Sequence, residues 1–349
     1  MEVCVEPTLS IRTNSEVVCV EFSPYEWSKS LLAVAFPNAI SLYSLKLKEE
    51  SENGKTELSL LCESHLEGEV CAMAWSPQTS LHASPPLLKL LLATTDDSVI
   101  EFTTDLKTTN VKEVFQHSSS INSVAYSGLC SSSSQLPSLC ASVGDDQLLR
   151  VWQEDSDEDS TNDDGGDGAG GWSDSIMLME PGQTVRFHPE NPSLLLVCEI
   201  SGTLRLYRIS QSQDDSGQPM LTADWSVRCP APMLDADWSL CDPNLLVAAC
   251  PAGVYIINVD NNGSARKRLR TVGSSGSSSV VTVRAARSTA ALVAAVTADN
   301  TLSVMHLTAN RIPLVAHLKA VSGISWHLEQ PYLAVGSDRR LLLWRVDHV

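Results

Sequence analysis

The chain has 349 residues, a formal net charge of −18 and an apolar content of 43%, which suit a globular protein with a sizeable core. The excess of acidic residues argues against a nucleic-acid-binding protein, because a surface that binds nucleic acid needs a basic face. The longest apolar run, Leu87 to Ala93, is interrupted by Lys89 and is far shorter than the roughly 20 residues of a membrane helix, so no membrane insertion is predicted. The N-terminus shows no signal-peptide pattern.

One pattern recurs along the chain: a short apolar strand that ends in an aromatic residue, a second apolar strand, a polar turn and a third strand. Six steps over 304 residues separate the first and last copies, about 51 residues each, against ~40–45 for a WD-type blade. The excess falls in Ser-, Pro-, Gly- and acid-rich stretches that are typical of loop insertions. The first-strand positions are Phe22, Trp75, Tyr126, Phe187, Trp238, Ala285 and Trp326, and the third-strand positions are Tyr43, Phe102, Trp152, Tyr207, Ile257, Met305 and Trp344.

Seven such units predict an all-β protein, a seven-bladed WD-repeat β-propeller that occupies residues 1–349 as a single domain. Four strands per blade require a further strand after each third one, and residues 59–62 and 112–115 are candidates in the first two units. The stretch from Val3 to Ile11 precedes the first unit, and we expect it to close the ring by pairing with the last blade.

Polar residues at fixed places in two units indicate a hydrogen-bonded set inside a blade. In the third unit His117, Ser142, Asp146 and Trp152 resemble the His, Ser/Thr, Asp and Trp set of the WD-repeat family. In the seventh unit the matching residues are His317, Asp338 and Trp344, with Val335 or Gly336 where a hydroxyl would be expected. We interpret these residues as structural rather than catalytic.

Two charged segments interrupt the repeats. Residues 154–174, between the third and fourth blades, carry nine of the acidic residues and no Lys or Arg, and this composition predicts a disordered loop. The loop is interpreted as a solvated connection, with phosphorylation at Ser156 or Ser160 as an alternative. The basic run 266–270 follows the fifth unit, and either an exposed loop or a nuclear-localisation or acidic-partner element fits it.

No pattern of catalytic, cofactor-binding or metal-binding residues is present in the sequence. The chain contains no phosphate loop, no nucleophile elbow and no His-Glu-x-x-His motif. Its ten cysteines are scattered through apolar strands without zinc spacing, so neither a disulfide framework nor a metal site is predicted. Trp27, Trp172 and Trp225 lie outside the repeat positions and are candidate partner-binding residues, although packing under a loop insertion explains them equally well.

Three further stretches resemble one family within the WD-repeat proteins. They are Val20 to Glu26, then Ala74 to Leu81 with the insertion Ser84 to Lys89, and Gly323 to His327 followed by Gly336 to Trp344. The family is that of the thirty-seven-kilodalton WD-repeat nucleoporins, subunits of the Y-shaped outer-ring complex of the nuclear pore.

The resemblance implies a non-enzymatic scaffold subunit at the nuclear envelope. It implies docking on the large propeller-solenoid nucleoporin of the Y-complex short arm, contacts with other outer-ring nucleoporins, a role in pore assembly and nucleocytoplasmic transport, and a presence at kinetochores in mitosis. The long acidic loop departs from the family pattern.

Two other functions remain as alternatives. One is a different WD-repeat adaptor, such as a ubiquitin-ligase substrate receptor. Such receptors tend to carry Asp-x-Arg after a closing Trp, whereas Trp152 is followed by Gln-Glu-Asp and Trp344 by Arg-Val-Asp. The other is an enzyme on a propeller, because the fold alone does not exclude activity.

Overall fold

The computed structural model describes residues 6–346 except 49, 52, 129–137, 155–171, 212–218, 230, 260–264, 271–277 and 310. Its described part contains seven four-stranded antiparallel sheets, which are the seven blades of a β-propeller. Within blades one to six the strands follow chain order from the innermost to the outermost.

The first four blades are built from sixteen consecutive strands. Blade one contains β2 (Cys19–Phe22), β3 (Leu31–Phe36), β4 (Ala39–Lys46) and β5 (Glu57–His65). Blade two contains β6 (Val70–Trp75), β7 (Leu88–Thr94), β8 (Ser98–Thr104) and β9 (Thr109–Gln116). Blade three contains β10 (Ile121–Tyr126), β11 (Leu139–Gly144), β12 (Leu148–Gln153) and β13 (Ser173–Met177). Blade four contains β14 (Gly182–Phe187), β15 (Leu194–Glu199), β16 (Thr203–Gln211) and β17 (Pro219–Arg228).

The last three blades include the strand that closes the ring. Blade five contains β18 (Asp235–Trp238), β19 (Leu245–Cys250), β20 (Gly253–Val259) and β21 (Ala265–Arg270). Blade six contains β22 (Val280–Ala285), β23 (Leu292–Thr297), β24 (Thr301–His306) and β25 (Leu314–His317). Blade seven contains β26 (Gly323–Trp326), β27 (Tyr332–Ser337), β28 (Arg340–Arg345) and, as its outermost strand, β1 (Leu9–Arg12) from the N-terminus.

The N-terminal strand β1 runs antiparallel to β28 and places Leu9 opposite Leu343 and Arg12 opposite Arg340. The expected ring closure is therefore confirmed for the described residues. The backbone groups along the outer edge of β28 are therefore paired by the N-terminal strand, and β1 becomes the short edge strand of the last blade.

The repeat positions read from the sequence form one row in every blade. Each innermost strand ends at its predicted position, including Ala285 in blade six, where the aromatic residue is missing. In blade two Trp75 pairs with Leu90, and Leu90 pairs with Phe102 on the third strand. In blade seven Trp326, Leu333 and Trp344 are aligned in the same way. The seven-bladed propeller predicted from the sequence is thus confirmed.

The core lies between blades rather than at one centre. Seven apolar clusters are present among the described residues, and each joins two neighbouring blades. Trp75, Trp326 and Trp344 are almost completely buried in these clusters. Since each blade buries both faces against its neighbours, the ring forms a rigid body whose loops are free to vary.

The chain between the first and second strands of most blades begins with a hydrogen-bond acceptor. The residue after the innermost strand is a serine in four blades, and in blades four and seven it is His188 and His327. The Nδ1 atom of His327 accepts hydrogen bonds from the backbone N–H groups of Glu329 and Gln330, at 3.2 and 3.1 Å. The ring therefore does the work that a serine hydroxyl does in the other loops, where Ser76 accepts from the N–H of Gln78 at 3.2 Å.

Candidate functional site

The structure joins three of the four residues singled out in the third unit. His117 lies immediately after β9, and its Nδ1 is 2.9 Å from Asp146 Oδ2 while its Nε2 is 2.8 Å from Ser142 Oγ. Among the described residues Trp152 does not share these bonds, and its ring packs edge-on against Phe115 with centroids 4.9 Å apart. The set links the outermost strand of blade two to the second strand and turn of blade three.

Electrostatics make this set a chain of hydrogen bonds rather than an ion pair. Burial lowers the pKa of His117 below its ordinary value, although the neighbouring Asp146 carboxylate opposes the shift. A neutral imidazole next to a carboxylate donates from Nδ1 to Asp146, which leaves Nε2 to accept the Ser142 hydroxyl proton. Asp146 also accepts the backbone N–H groups of Ser118 and Leu148, at 3.2 and 3.1 Å, so both carboxylate oxygens are engaged in fixing the turn.

The residues named in the seventh unit are not brought together. His317 is an exposed residue at the end of β25, and its Nδ1 lies 2.9 Å from Thr301 Oγ1 within blade six. Asp338 instead binds Lys319 Nζ at 2.6 Å. Trp344 is buried between blades six and seven. The position that corresponds to Ser142 is Val335, which has no hydroxyl to hold an inward-turned imidazole.

A charged network on the innermost strands was not predicted from the sequence. Asp235 of β18 accepts hydrogen bonds from Thr184 Oγ1 at 2.9 Å and from the backbone N–H of Val283 at 3.1 Å. It also pairs with the Arg284 guanidinium of β22. Asp237 accepts the N–H of Ala285 at 3.0 Å. These bonds connect blades four, five and six around the central channel.

A second part of the network reaches from blade six to blade one. The Nη2 atom of Arg287 lies 3.5 Å from Glu21 Oε1, and Arg186 Nε lies 3.7 Å from Asp237 Oδ1. Burial raises the pKa of Glu21, against the attraction of Arg287, Arg284 and Arg186. Three carboxylates and three guanidinium groups thus balance one another along the channel. Glu21, Asp235, Arg186 and Arg284 line a cavity of about 190 Å³, and Asp237 and Arg287 line an adjoining one of about 90 Å³. The available sequence signal was a charged residue directly before the repeat position, as at Glu21, Arg186, Asp237 and Arg284.

A buried lysine forms another unexpected link, between blades two and three. Lys89 Nζ lies 3.0 Å from Glu101 and 2.9 Å from Glu154, and the Lys89 and Glu154 side chains are only 2% exposed. Burial would lower the pKa of Lys89, but the two carboxylates outweigh it and raise that pKa. Tyr126 and Ser76 donate further hydrogen bonds to Glu154, at 3.2 and 3.3 Å.

The structure describes the predicted acidic loop, residues 154–174, only at its two ends. Residues 155–171 lie outside the described part of the chain. At one end Glu154 is buried beside Lys89, and at the other Ser173 and Asp174 belong to β13. Glu154 has an interior cation as partner, and composition alone could not indicate this.

The three tryptophans considered for partner binding have different surroundings. Trp27 is 51% exposed, stacks on Tyr25 with ring centroids 5.3 Å apart, and donates its indole N–H to the carbonyl of Thr79 at 2.9 Å. Trp172 and Trp225 are partly buried against the clusters between blades three and four and between blades four and five. Trp27 is therefore the exposed and firmly held aromatic residue of the three.

Neither a metal-binding group nor a membrane-spanning helix is found among the described residues. No group of three or more His, Cys, Asp and Glu side chains there has an arrangement that could bind a metal ion. In the same part of the chain, no helix combines the length and the apolar character needed to cross a membrane. The eight described cysteines are free thiols, and burial raises the pKa of Cys71 to about 11.

The seven blades and the blade-three hydrogen bonds define the class of protein, a WD-repeat propeller. In agreement, the family described as WD domain, G-beta repeat matches residues 108–153 and 310–345. These two stretches span the third and seventh repeats.

Known relatives resemble this chain over nearly its whole length. Nucleoporin Nup37 of Drosophila melanogaster is 30% identical over 360 residues, covering 99% of each chain. Nucleoporin Nup37 of Mus musculus is 25% identical and that of Homo sapiens 24%, each covering 93% of this chain and 92% of the relative. The chain therefore belongs to the Nup37 family of nucleoporins. This relationship favours the nucleoporin prediction over the ubiquitin-ligase receptor and the propeller enzyme.

Proposed function

We propose that the protein is a non-enzymatic scaffold subunit of the nuclear pore outer ring, the Y complex. In this role it docks on a large propeller-solenoid nucleoporin of the short arm, contacts other outer-ring nucleoporins, and supports pore assembly and nucleocytoplasmic transport at the nuclear envelope. A presence at kinetochores in mitosis stays a prediction. The observation that carries the proposal is the full-length similarity to nucleoporins in three animals.

The structure supports a scaffold in physical terms. A ring whose blades bury both faces loses little conformational entropy on binding, so its loops present surfaces that are organised beforehand. The charged groups found inside the ring are paired with one another, as Arg284 is with Asp235 and Lys89 with Glu154. Such pairing suits an internal structural role.

The predicted site residues fit the same role. We propose that His117, Ser142 and Asp146 fix the turn of blade three, that Trp152 and Trp344 fill inter-blade clusters, and that His317 and Asp338 act as separate local contacts. The seven blades would then act as one domain.

An affinity purification tests the proposal. The tagged chain is expressed at its natural level, captured from cell extract, and the bound proteins are identified by mass spectrometry. The proposal expects outer-ring nucleoporins, led by one large solenoid subunit, in fixed proportion to the tagged chain. Recovery of ubiquitin-ligase components without nucleoporins would refute it and favour the adaptor alternative.

A further inference from the structure

A groove of about 520 Å³ lies between blades five and six, away from the central channel. It is formed by the third and fourth strands of blade five, β20 and β21, together with the loops after β22 and β24 of blade six. This volume lies within the range of about 300–1,000 Å³ that is usual for ligand-binding clefts.

The floor of the groove is apolar and belongs to the core. Leu245 and Leu307 are buried members of the cluster between blades five and six, and Ile256 and Ala290 pack against them while remaining partly exposed. A partner that covered Ile256 and Ala290 would therefore extend an existing core, and burying apolar surface of this kind favours binding.

The guanidinium group of Arg268 lies at the wall of the groove. Arg268 of β21 pairs with Ile256 of β20, is exposed, and donates from Nη2 to the carbonyl of Leu307 at 2.9 Å. That bond anchors the side chain across the two blades and uses one of its five N–H donors, so the guanidinium can also receive a carboxylate. The groove also contains one acid, Asp242, whose Oδ1 accepts the backbone N–H of Asn244 at 3.1 Å.

Charge singles out this strand from the rest of the molecule. β21 has the sequence Ala-Arg-Lys-Arg-Leu-Arg, with four basic residues among six, in a chain whose net charge is −18. The basic positions 266 to 270 span about 13 Å of strand at roughly 3.3 Å per residue. A small anion could pair with Arg268 only, whereas a segment of a protein chain could pair with Arg268 and also cover the apolar floor.

We infer that the groove between blades five and six binds a short segment of a partner protein that combines apolar side chains with acidic residues. The apolar side chains cover Ile256 and Ala290, and a carboxylate pairs with Arg268. The charge of Arg268 attracts an acidic segment and disfavours a basic one. This inference rests on the proposed function, since the segment would belong to a neighbouring subunit of the assembly.

Binding of a synthetic probe tests the groove directly. The probe is a fluorescently labelled peptide of Leu, Asp and Glu, and its anisotropy is measured with the full chain and with variants. Arg268→Glu should weaken binding by about tenfold or more, as expected for the loss of a charge-assisted hydrogen bond. The matched control Arg339→Glu changes an equally exposed arginine in the β27–β28 turn of blade seven and should leave the affinity unchanged.

Two further measurements keep the test decisive. Asn258→Glu adds a carboxylate at an exposed position of the groove and should also weaken binding, so the conclusion does not depend on one variant. A probe in which Gln and Asn replace the acids should bind at least about tenfold more weakly. Equal affinity of wild type and R268E, or equal binding of the neutral probe, would overturn the inference.

The natural occupant can be identified by cross-linking. A photoreactive amino acid at position 258 should capture an acidic and apolar segment of a nucleoporin, and capture of residues 155–171 of this chain would overturn the inference. In extract, loss of nucleoporins from R268E supports it. Equal recovery by wild type and R268E refutes the groove but leaves the proposed function standing, whereas absence of nucleoporins from the wild-type sample refutes the proposed function.

Discussion

The buried imidazole of His327 makes the stability of the ring depend on pH. It follows β26, is 3% exposed, and contacts the Phe22 ring edge-on at a centroid distance of 5.5 Å. Because Nδ1 accepts two backbone N–H groups, a proton on that atom would break both hydrogen bonds. Burial lowers the pKa of His327 from 6.5 to about 4, with Glu329 opposing the shift and Lys29 adding to it.

The direction of this pH dependence follows from the protonation of His327 in the folded and in the unfolded chain. Well above pH 6.5 the imidazole is neutral in both the folded and the unfolded chain, so it causes no pH dependence there. As the pH falls from 6.5 towards 4, the imidazole is protonated in the unfolded chain but stays neutral in the folded chain, so the free energy of unfolding decreases. The full loss is about 3 kcal/mol, and about 2 kcal/mol of it is reached between pH 7 and pH 5.

Replacement by the serine used in other blades isolates this effect. His327→Ser keeps an acceptor for the loop but removes the titrating ring, so the variant should be less stable than wild type at pH 7 and should lose less stability on acidification. Urea unfolding at pH 7 and pH 5 gives both differences. The matched control His82→Ser alters an exposed histidine and should retain the wild-type pH dependence.

Spectroscopy tests the same reasoning without unfolding. In histidine-labelled protein the His327 signals, assigned from their absence in H327S, should remain those of a neutral ring at pH 5. Titration of that ring near pH 6.5, or an equal loss of stability in wild type and H327S between pH 7 and pH 5, would refute the assignment.

Three further predictions concern packing and closure. Lys89→Met leaves the buried Glu154 without its cation and should destabilise the protein by about 3–5 kcal/mol in urea unfolding. Adding Glu154→Gln should restore part of that stability. Wild-type stability of K89M alone would contradict the buried pair. Gly202→Ala should reduce the free energy of unfolding by roughly 2–4 kcal/mol, because Gly202 has φ +91° and a Cβ there would lie 2.1 Å from the carbonyl oxygen of Ala231. The control Gly54→Ala, with φ +60° and open space around it, should cost only about 1 kcal/mol. Equal melting temperatures of the two variants would refute the steric argument. Removal of residues 1–12 uncovers the edge of β28 and should reduce the free energy of unfolding by roughly 3 kcal/mol and promote aggregation. Thermal unfolding and light scattering measure the two effects. An unchanged melting temperature would show that β1 does not close the ring.

The repeat carried most of the information about the fold. Because the row that Trp75 forms with Leu90 and Phe102 recurs in each blade, even Ala285, which lacks the aromatic ring, could be placed at the end of an innermost strand. The same spacing was less informative for side-chain contacts. His117 and His317 have equivalent places in the sequence, yet only His117 meets a hydroxyl of the following blade, since Val335 stands where blade three has Ser142. The imidazole of His317 contacts Thr301 of its own blade instead.

Contacts between segments that are distant in the sequence could not be predicted from sequence patterns. Composition placed Glu154 in an acidic loop, but its environment is set by Lys89 of the neighbouring blade. The channel network depends on which strand residues face the axis, and Arg186 and Asp237 become neighbours only when the ring closes. Basic residues of β21 were recognised as unusual, and the groove beside Arg268 required the packing of two blades.

Exchange of the protein at the nuclear envelope tests the central claim most directly. The chain is tagged at its own gene with a fluorescent protein, and recovery after photobleaching is followed at the nuclear rim beside an established pore subunit. A scaffold subunit should give a punctate rim signal that overlaps the pore marker and recovers as slowly as the marker does. A diffuse signal, or a rim signal that recovers at the rate of free diffusion, would contradict the scaffold role.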